Sequence, residues 1–319
     1  MLRAFQFSRL TGSSLVHPDS VIAQIDQQFP QSLERLFELL RFPSVATDPK
    51  YDADCARAVE WLVRLLRNMG FKSRRRKTTG QPLVVGTYKP SGGGAKLPHI
   101  LFYGHYDVQP ADPVELWTTP PFEPQIRKGR NGKDCIFARG ACDDKGQLMT
   151  FLEASRCWLD VHGQLPFRLT VMIEGDEEGD ASHLDRFLAK HATDFPVDAA
   201  FICDTELWDG ERPAINTRLR GCIGEEVAIF GPRIDLHSGY YGGPAANPIK
   251  VLSRVLAAMH DANGKITSPG FYEGVKPIPS SLRRQWEKLK FPARRYLAGV
   301  GLSIPAGEQN YSVLEQIWA

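Results

Sequence analysis

Apolar side chains recur at helical spacing in several segments of the chain. Leu33, Leu36, Phe37 and Leu40 follow the i, i+3, i+4, i+7 pattern of an amphipathic helix, which Pro43 ends. The same periodicity predicts further helices over 52–69, from about 145, and over 247–264.

Short apolar runs lie between these helices. Three of them, Ile100–Tyr103, Phe167–Ile173 and Ala199–Cys203, are typical of buried strands. Strands that alternate with helices favour an α/β fold with a largely parallel sheet. After residue 213 the pattern changes to one strand within 220–233, a glycine-rich loop and the helix over 247–264. We therefore predict two domains, 1–213 and a smaller α+β domain over 214–319.

Composition narrows the class of protein. The 319 residues agree with about two domains at roughly 150 residues each. With 39 Lys+Arg against 37 Asp+Glu, the charge balance gives no electrostatic case for nucleic acid as a partner. No run reaches the roughly 18 apolar residues of a membrane span. The six cysteines are scattered and no secretory signal is evident, so we expect reduced thiols and a cytoplasmic location.

Acids and one histidine follow the predicted strands. They are His105 and Asp107, the pair Asp143 and Asp144, the pair Glu177 and Glu178, and Asp204. Singly, such residues are usually ordinary hydrogen-bonded pairs or solvated loop acids. Together they are expected at one edge of the sheet, where α/β folds bind ligands. Imidazole mixed with carboxylates suits Zn²⁺, Mn²⁺ or Co²⁺, and two such ions with a bridging carboxylate hydrolyse amides or phosphates.

Four segments, GHYDVQP, ARGACDDKGQ, EGDEEGD and DLHSGYYGG, resemble the signatures of the di-zinc exopeptidase and deacylase family. That family includes carnosinase-like dipeptidases, glutamate carboxypeptidase, aminoacylase and succinyl-diaminopimelate desuccinylase, and the dipeptidase branch is the most similar. The resemblance implies a zinc-exopeptidase-like fold. It also implies a metal-binding catalytic domain over 1–213 and an inserted ferredoxin-like lid over 214–319, through which the chain forms a homodimer.

The resemblance assigns metal ligands position by position. His105 and Asp204 would bind one ion, Glu178 would bind the second, and Asp143 would bridge the two. Zinc is the expected metal, with manganese or cobalt as alternatives. The peptide bond between Asp143 and Asp144 is often cis in this family.

The resemblance also assigns three catalytic roles. Asp107 would hold the imidazole of His105 in place. Glu177 would be the general base that takes a proton from the water bridging the two metals and passes it to the leaving amine. His237 would reach the site of the partner subunit and stabilise the oxyanion.

One ligand position bears on the substrate. In this family an aspartate at position 204 favours dipeptidases, whereas Glu206 as the ligand would favour carboxypeptidases and deacylases. We therefore expect hydrolysis of the amide bond of dipeptides or short peptides. The alternatives are an N-acyl-amino-acid deacylase of the acetylornithine or succinyl-diaminopimelate type, and a non-catalytic binding or dimerisation module.

The chain departs from the family at its end. Members carry a further catalytic segment after the lid, and that segment supplies a last histidine ligand. This sequence stops at NYSVLEQIWA. We therefore expect a C-terminally truncated chain with an incomplete lid and weak or no activity.

Overall fold

The computed structural model describes residues 18–92, 97–129, 132–208, 212–216 and 219–318. Backbone contacts divide the chain into two compact units, Met1–Ala214 and Ile215–Ala319. We call them the first and the second unit. Within the described residues, no helix combines the length and the apolar character that crossing a membrane requires.

The first unit is built on a five-stranded sheet. Its strands are β1 (Lys72–Arg76), β2 (Leu83–Tyr88), β3 (His99–His105), β6 (Arg168–Glu174) and β7 (Ala199–Ile202), in the spatial order β1-β2-β6-β3-β7. Strand β2 is antiparallel to both neighbours, and β3 is parallel to β6 and β7. Four of the five strands therefore point the same way, which confirms the predicted mixed, largely parallel sheet. A separate antiparallel pair joins β4 (Gln125–Lys128) to β5 (Asp134–Phe137).

Helices cover both faces of this sheet. They are α1 (Asp19–Leu40), α2 (Asp52–Asn68), α3 (Lys145–His162) and α4 (Ser182–His191). Successive strand residues point to opposite faces. Val171 of β6 therefore packs in the main core with Leu62 of α2, whereas the next residue, Met172, packs with Phe187 of α4. All three helices and all three strands that the sequence predicts in this unit are present.

The regular elements of the second unit are helices in its described residues, with turns and irregular segments between them. Its elements are α5 (Ser238–Tyr241), α6 (Pro248–Ala258), α7 (Ser280–Lys288), α8 (Ala293–Gly299) and α9 (Val313–Trp318). Helix α6 confirms that a helix forms within the predicted range 247–264, but it ends at Ala258.

The strand predicted within 220–233 is not formed, so the β part of the predicted α+β lid is absent from the described residues. A strand exists only through hydrogen bonds to a neighbouring strand. No second extended segment pairs with this one in the described part of the unit. Ile223 and Phe230 consequently remain 79% and 93% exposed.

Candidate metal centre

The parallel strands bring the predicted residues to one edge of the sheet. Strand β3 lies between β6 and β7, and its last residue, His105, pairs with Glu174 at the end of β6. Glu177 follows three residues after β6 ends, and Asp204 two residues after β7 ends. This edge carries the carboxyl ends of all three strands, as predicted for a ligand site.

The imidazole of His105 is the centre of the cluster. Its side chain is fully buried, and Nε2 lies 3.2 Å from Asp143 Oδ1, 3.7 Å from Asp204 Oδ2 and 3.9 Å from Glu177 Oε2. One potential ligand atom from each of His105, Asp143 and Asp204 lies within 4.8 Å of the others. The three carboxylates are 33–56% exposed, so the cluster is open to solvent on their side.

Asp107 lies on the opposite side of the imidazole. His105 Nδ1 is 3.0 Å from the Asp107 carbonyl oxygen and 3.4 Å from Oδ1. These acceptors favour a proton on Nδ1, which directs the Nε2 lone pair of the neutral ring toward Asp143. The other carboxylate oxygen of Asp107 accepts the backbone N–H of Glu178 at 2.9 Å. Asp107 therefore connects the loop that follows β3, which we call the β3 loop, to the loop after β6.

The turn that carries Asp143 has the implied cis peptide bond between Asp143 and Asp144. Asp144 is fully buried and its Oδ2 accepts the backbone N–H of His105 at 3.1 Å. Gly104 makes this approach possible, because a Cβ there would lie 2.6 Å from the same oxygen. The glycine of GHYD is thus required by close packing against Asp144.

Glu178 lies outside the cluster of three ligand atoms. Its Oε2 accepts a hydrogen bond of 2.7 Å from Gln109 Nε2. Its role as a ligand of the second metal stays a prediction. Sequence reasoning missed Gln109, although it belongs to the GHYDVQP segment, because an amide has no fixed role in a metal site.

Negative charge accumulates at this edge. Burial raises the pKa of Glu177 and of Asp204; the charge of His105 lowers both, and neighbouring carboxylates raise them. Burial also raises the pKa of Asp144 and of Glu174 to about 7. The pKa of His105 is raised to about 10: burial, the largest influence, lowers it, but the hydrogen bond and charge of Asp107 and the charges of Asp144 and Glu177 outweigh burial. A bound cation would relieve this repulsion.

The donor set fits a divalent metal. One imidazole nitrogen with carboxylate oxygens is the combination that zinc and related ions bind. Asp144 Oδ1 and Glu174 Oε1 are buried without a hydrogen-bond partner in the described residues, so the cluster has unsatisfied buried carboxyl oxygens beside it. A metal at His105 Nε2 would compete with the proton there.

Two residues that sequence reasoning missed lie behind the ligands. Lys145, the first residue of α3, is fully buried, and burial lowers its pKa to about 7. Ser44, also fully buried, contacts the β3 loop through its hydroxyl. A lysine in the first turn of a helix opposes the helix dipole, and that was the available signal of a tertiary role.

His237 belongs to the second unit. It precedes α5, and its Nδ1 accepts the backbone N–H of Gly239 at 3.0 Å. The side chain is exposed. Its catalytic role stays a prediction.

Comparison with known proteins agrees with this geometry. The model of peptidase family M20/M25/M40 matches residues 101–299. The Cys-Gly metallodipeptidase DUG1 of Candida albicans is 30% identical over 309 residues, covering 92% of this chain and 62% of the relative. The chain thus spans less than two thirds of that relative's length.

Two solved structures share the fold. The di-peptidase Dug1p of Saccharomyces cerevisiae has a TM-score of 0.70 at 25% identity, over 91% of this chain and 62% of that one. The M20 family metallo-carboxypeptidase Sso-CP2 of Sulfolobus solfataricus has a TM-score of 0.71 at 26% identity, over 90% and 62%. With a family match over more than half of its residues and the ligand cluster at the expected strand ends, the chain belongs to peptidase family M20/M25/M40.

Proposed function

We propose that this chain is a metal-dependent hydrolase that cleaves the amide bond of dipeptides or short peptides. The observation that carries the proposal is the clustering of His105, Asp143 and Asp204 ligand atoms within 4.8 Å, with the Glu177 carboxylate 3.9 Å from the same imidazole. The Cys-Gly dipeptidase relatives support the substrate class. Asp204, rather than the exposed Glu206, joins the cluster, which favours a dipeptidase over a deacylase.

His105, Asp143 and Asp204 would hold the metal, and Glu178 would bind a second ion. Zinc is our preferred metal, with manganese and cobalt as alternatives. Bound divalent ions supply Lewis acidity and lower the pKa of water. Asp107 orients the imidazole of His105 for this role through Nδ1.

Glu177 is the proposed general base. Its carboxylate lies beside the cluster, is 38% exposed and has a pKa that burial raises, which brings it nearer to neutral pH. In the proposed reaction Glu177 takes the proton of the attacking water and returns it to the leaving amine. This role needs a carboxylate that reaches the reacting atoms without being a ligand itself.

His237 is the proposed donor to the oxyanion. The bond from Gly239 N–H makes Nδ1 the acceptor, so the neutral ring carries its proton on Nε2 and can donate it. We propose that this histidine serves the site of a partner subunit in a homodimer formed through residues 214–319. We further propose a cytoplasmic enzyme, which the six free cysteines support.

The test is hydrolysis by the purified chain supplied with Zn²⁺ or Mn²⁺. Cys-Gly and β-Ala-His are the dipeptide probes, and N-acetyl and N-succinyl amino acids probe the deacylase alternative. Glu177→Gln is expected to lose at least about 100-fold in kcat while retaining bound metal, because only the proton acceptor is removed. Glu206→Gln, an exposed acid outside the cluster, is the matched control.

Three outcomes would contradict the proposal. Hydrolysis of N-acyl amino acids alone would identify a deacylase. Equal activity of Glu177→Gln and of the control Glu206→Gln would show that Glu177 is not the general base. Absence of both metal binding and turnover would leave a non-catalytic binding module.

A further inference from the structure

A short segment behind the metal cluster contacts both loops that carry its ligands. We call residues 42–45, which lie just after α1, the brace. Ser44 and Val45 are buried to 0% and 1% exposure. The brace includes none of the predicted ligands or catalytic residues.

The first contact of the brace holds the β3 loop. The hydroxyl of Ser44 donates to the Tyr106 carbonyl oxygen at 2.6 Å, and the backbone N–H of Val108 donates to the Ser44 carbonyl oxygen at 3.0 Å. These two bonds lie on either side of Asp107. The backbone that presents His105 and Asp107 is therefore tied to one serine.

The second contact holds the turn that carries Asp143. Lys145 Nζ donates to the carbonyl oxygens of Phe42 at 2.8 Å and of Leu39 at 3.1 Å. These acceptors lie at the carboxyl end of α1, where carbonyl groups lack helical partners and the dipole favours a cation. Lys145 directly follows Asp144, so its side chain anchors the ligand turn to the end of α1.

We propose that Ser44 and Lys145 are positioning residues that set the distance between His105 and Asp143, and so the metal affinity of the site. The inference rests on the proposed function. Ser44 binds the loop that carries His105, and Lys145 ties the turn that carries Asp143 to Phe42 of the same brace. The 3.2 Å separation of His105 Nε2 and Asp143 Oδ1 therefore depends on bonds that a metal itself does not make.

The alternative is that these bonds merely stabilise the packing of α1 on α3. An ion pair between the same two helices serves as a control, because its loss disturbs the packing of α1 on α3 without removing a bond to a ligand loop. Arg35 of α1 donates from Nε to Glu153 Oε1 of α3 at 2.8 Å, away from the ligands. Ser73 supplies a second control, because it is a buried serine whose hydroxyl has no hydrogen-bond partner among the described residues.

The experiment compares Lys145→Met and Ser44→Ala with the controls Arg35→Met and Ser73→Ala in the full chain. Zn²⁺ affinity is measured by titration calorimetry, and Tm is measured with and without Zn²⁺. We expect Zn²⁺ affinity to fall about 100-fold in Lys145→Met and about 10-fold in Ser44→Ala, as for other residues that orient metal ligands. The rise in Tm that Zn²⁺ produces should shrink accordingly.

The controls should keep the Zn²⁺ affinity of the wild type even where their Tm falls. Equal loss of affinity in Arg35→Met, or wild-type affinity in both test variants, would overturn the inference. If Lys145→Met does not fold, Ser44→Ala decides, since it removes one hydroxyl. If the wild-type chain binds no Zn²⁺, the proposed function fails and this inference fails with it. If the wild-type chain binds Zn²⁺ and both test variants bind it with the same affinity, the inference alone fails.

Discussion

The two units of the chain use the same kind of sequence pattern with different results. In the first unit, apolar helix faces close over both sides of a sheet, and residues such as Leu62 and Phe102 are fully buried. In the second unit, helix α6 is equally amphipathic in sequence, but Ile249 and Leu256 on it are 75% and 51% exposed. Buried apolar side chains are few in the described part of that unit, with Leu297 and Leu314 as examples.

The comparison shows what amphipathicity does and does not specify. A periodic apolar stripe predicts that a helix forms and which face is apolar. It does not specify the surface that covers that face. In the first unit the sheet supplies this surface, and the same sheet edge positions the metal ligands. Rigid packing and the ligand cluster are therefore properties of the same unit.

The largest expected effect comes from removing a buried leucine. Leu62→Ala in α2 should lower the free energy of unfolding by about 3 kcal/mol, because a cavity remains in a closed core. Leu256→Ala in α6 should cost less than about 0.5 kcal/mol, since that side chain is half exposed. Urea unfolding of both variants measures the difference. An equal loss of unfolding free energy in the two variants would contradict the contrast between the units, because it would show that Leu256 is packed as tightly as Leu62.

Topology explains how much of the site could be predicted. Parallel strands end at the same edge, so His105, Glu177 and Asp204 had to be neighbours once the strands were recognised. Asp143 and Asp144 were also expected after a strand, and that was wrong: they lie in the turn before α3 and follow no strand of the five-stranded sheet, although Asp143 still joins the cluster. The position of Glu178 depends on side-chain rotamers and on its hydrogen bond to Gln109, which a linear pattern does not encode.

Contacts through the backbone were the least predictable part. Lys145 and Ser44 bind carbonyl groups, which every residue possesses, so their partners leave no mark in the sequence. The prediction of a strand within 220–233 was wrong for a related reason. Alternation indicates an extended segment, but a sheet also needs a partner, which the segment itself does not specify.

The tight backbone at the cluster predicts the next effect. Gly104→Ala would place a Cβ 2.6 Å from Asp144 Oδ2, so β3 or the Asp144 side chain must move. We expect a loss of about 2 kcal/mol in unfolding free energy, and weaker Zn²⁺ binding in the same calorimetric titration. Gly224→Ala in the second unit is the control, since a Cβ added there would meet no atom within 4 Å among the described residues. A well-tolerated Gly104→Ala would mean that the cluster is looser than its distances indicate.

The ion pair between α1 and α3 predicts a pH effect in the first unit. Burial raises the pKa of Glu153, but the hydrogen bond from Arg35 and the charge of Arg156 outweigh it and lower the pKa below 4.5. The stabilisation is thus fully present above pH 4.5 and is lost as the pH falls through the folded-state pKa. Glu153→Gln should cost about 1–2 kcal/mol at pH 7 and less in acid. Glu34→Gln, in an exposed pair with Arg41, should cost under about 0.5 kcal/mol at either pH.

The smallest expected effect tests whether the second unit unfolds independently of the first. Asn247 Oδ1 accepts the backbone N–H of Ile249 at 2.9 Å and so caps the start of α6. Asn247→Ala should cost about 1 kcal/mol, which corresponds to roughly fivefold faster amide hydrogen exchange in α6, with no change in α2. Asn263→Ala is the control, because Asn263 contacts Asp261 and Gln309 through its backbone. Faster exchange in α2 as well would show that the two units unfold together. The units would then differ in the packing of their apolar side chains but not in stability.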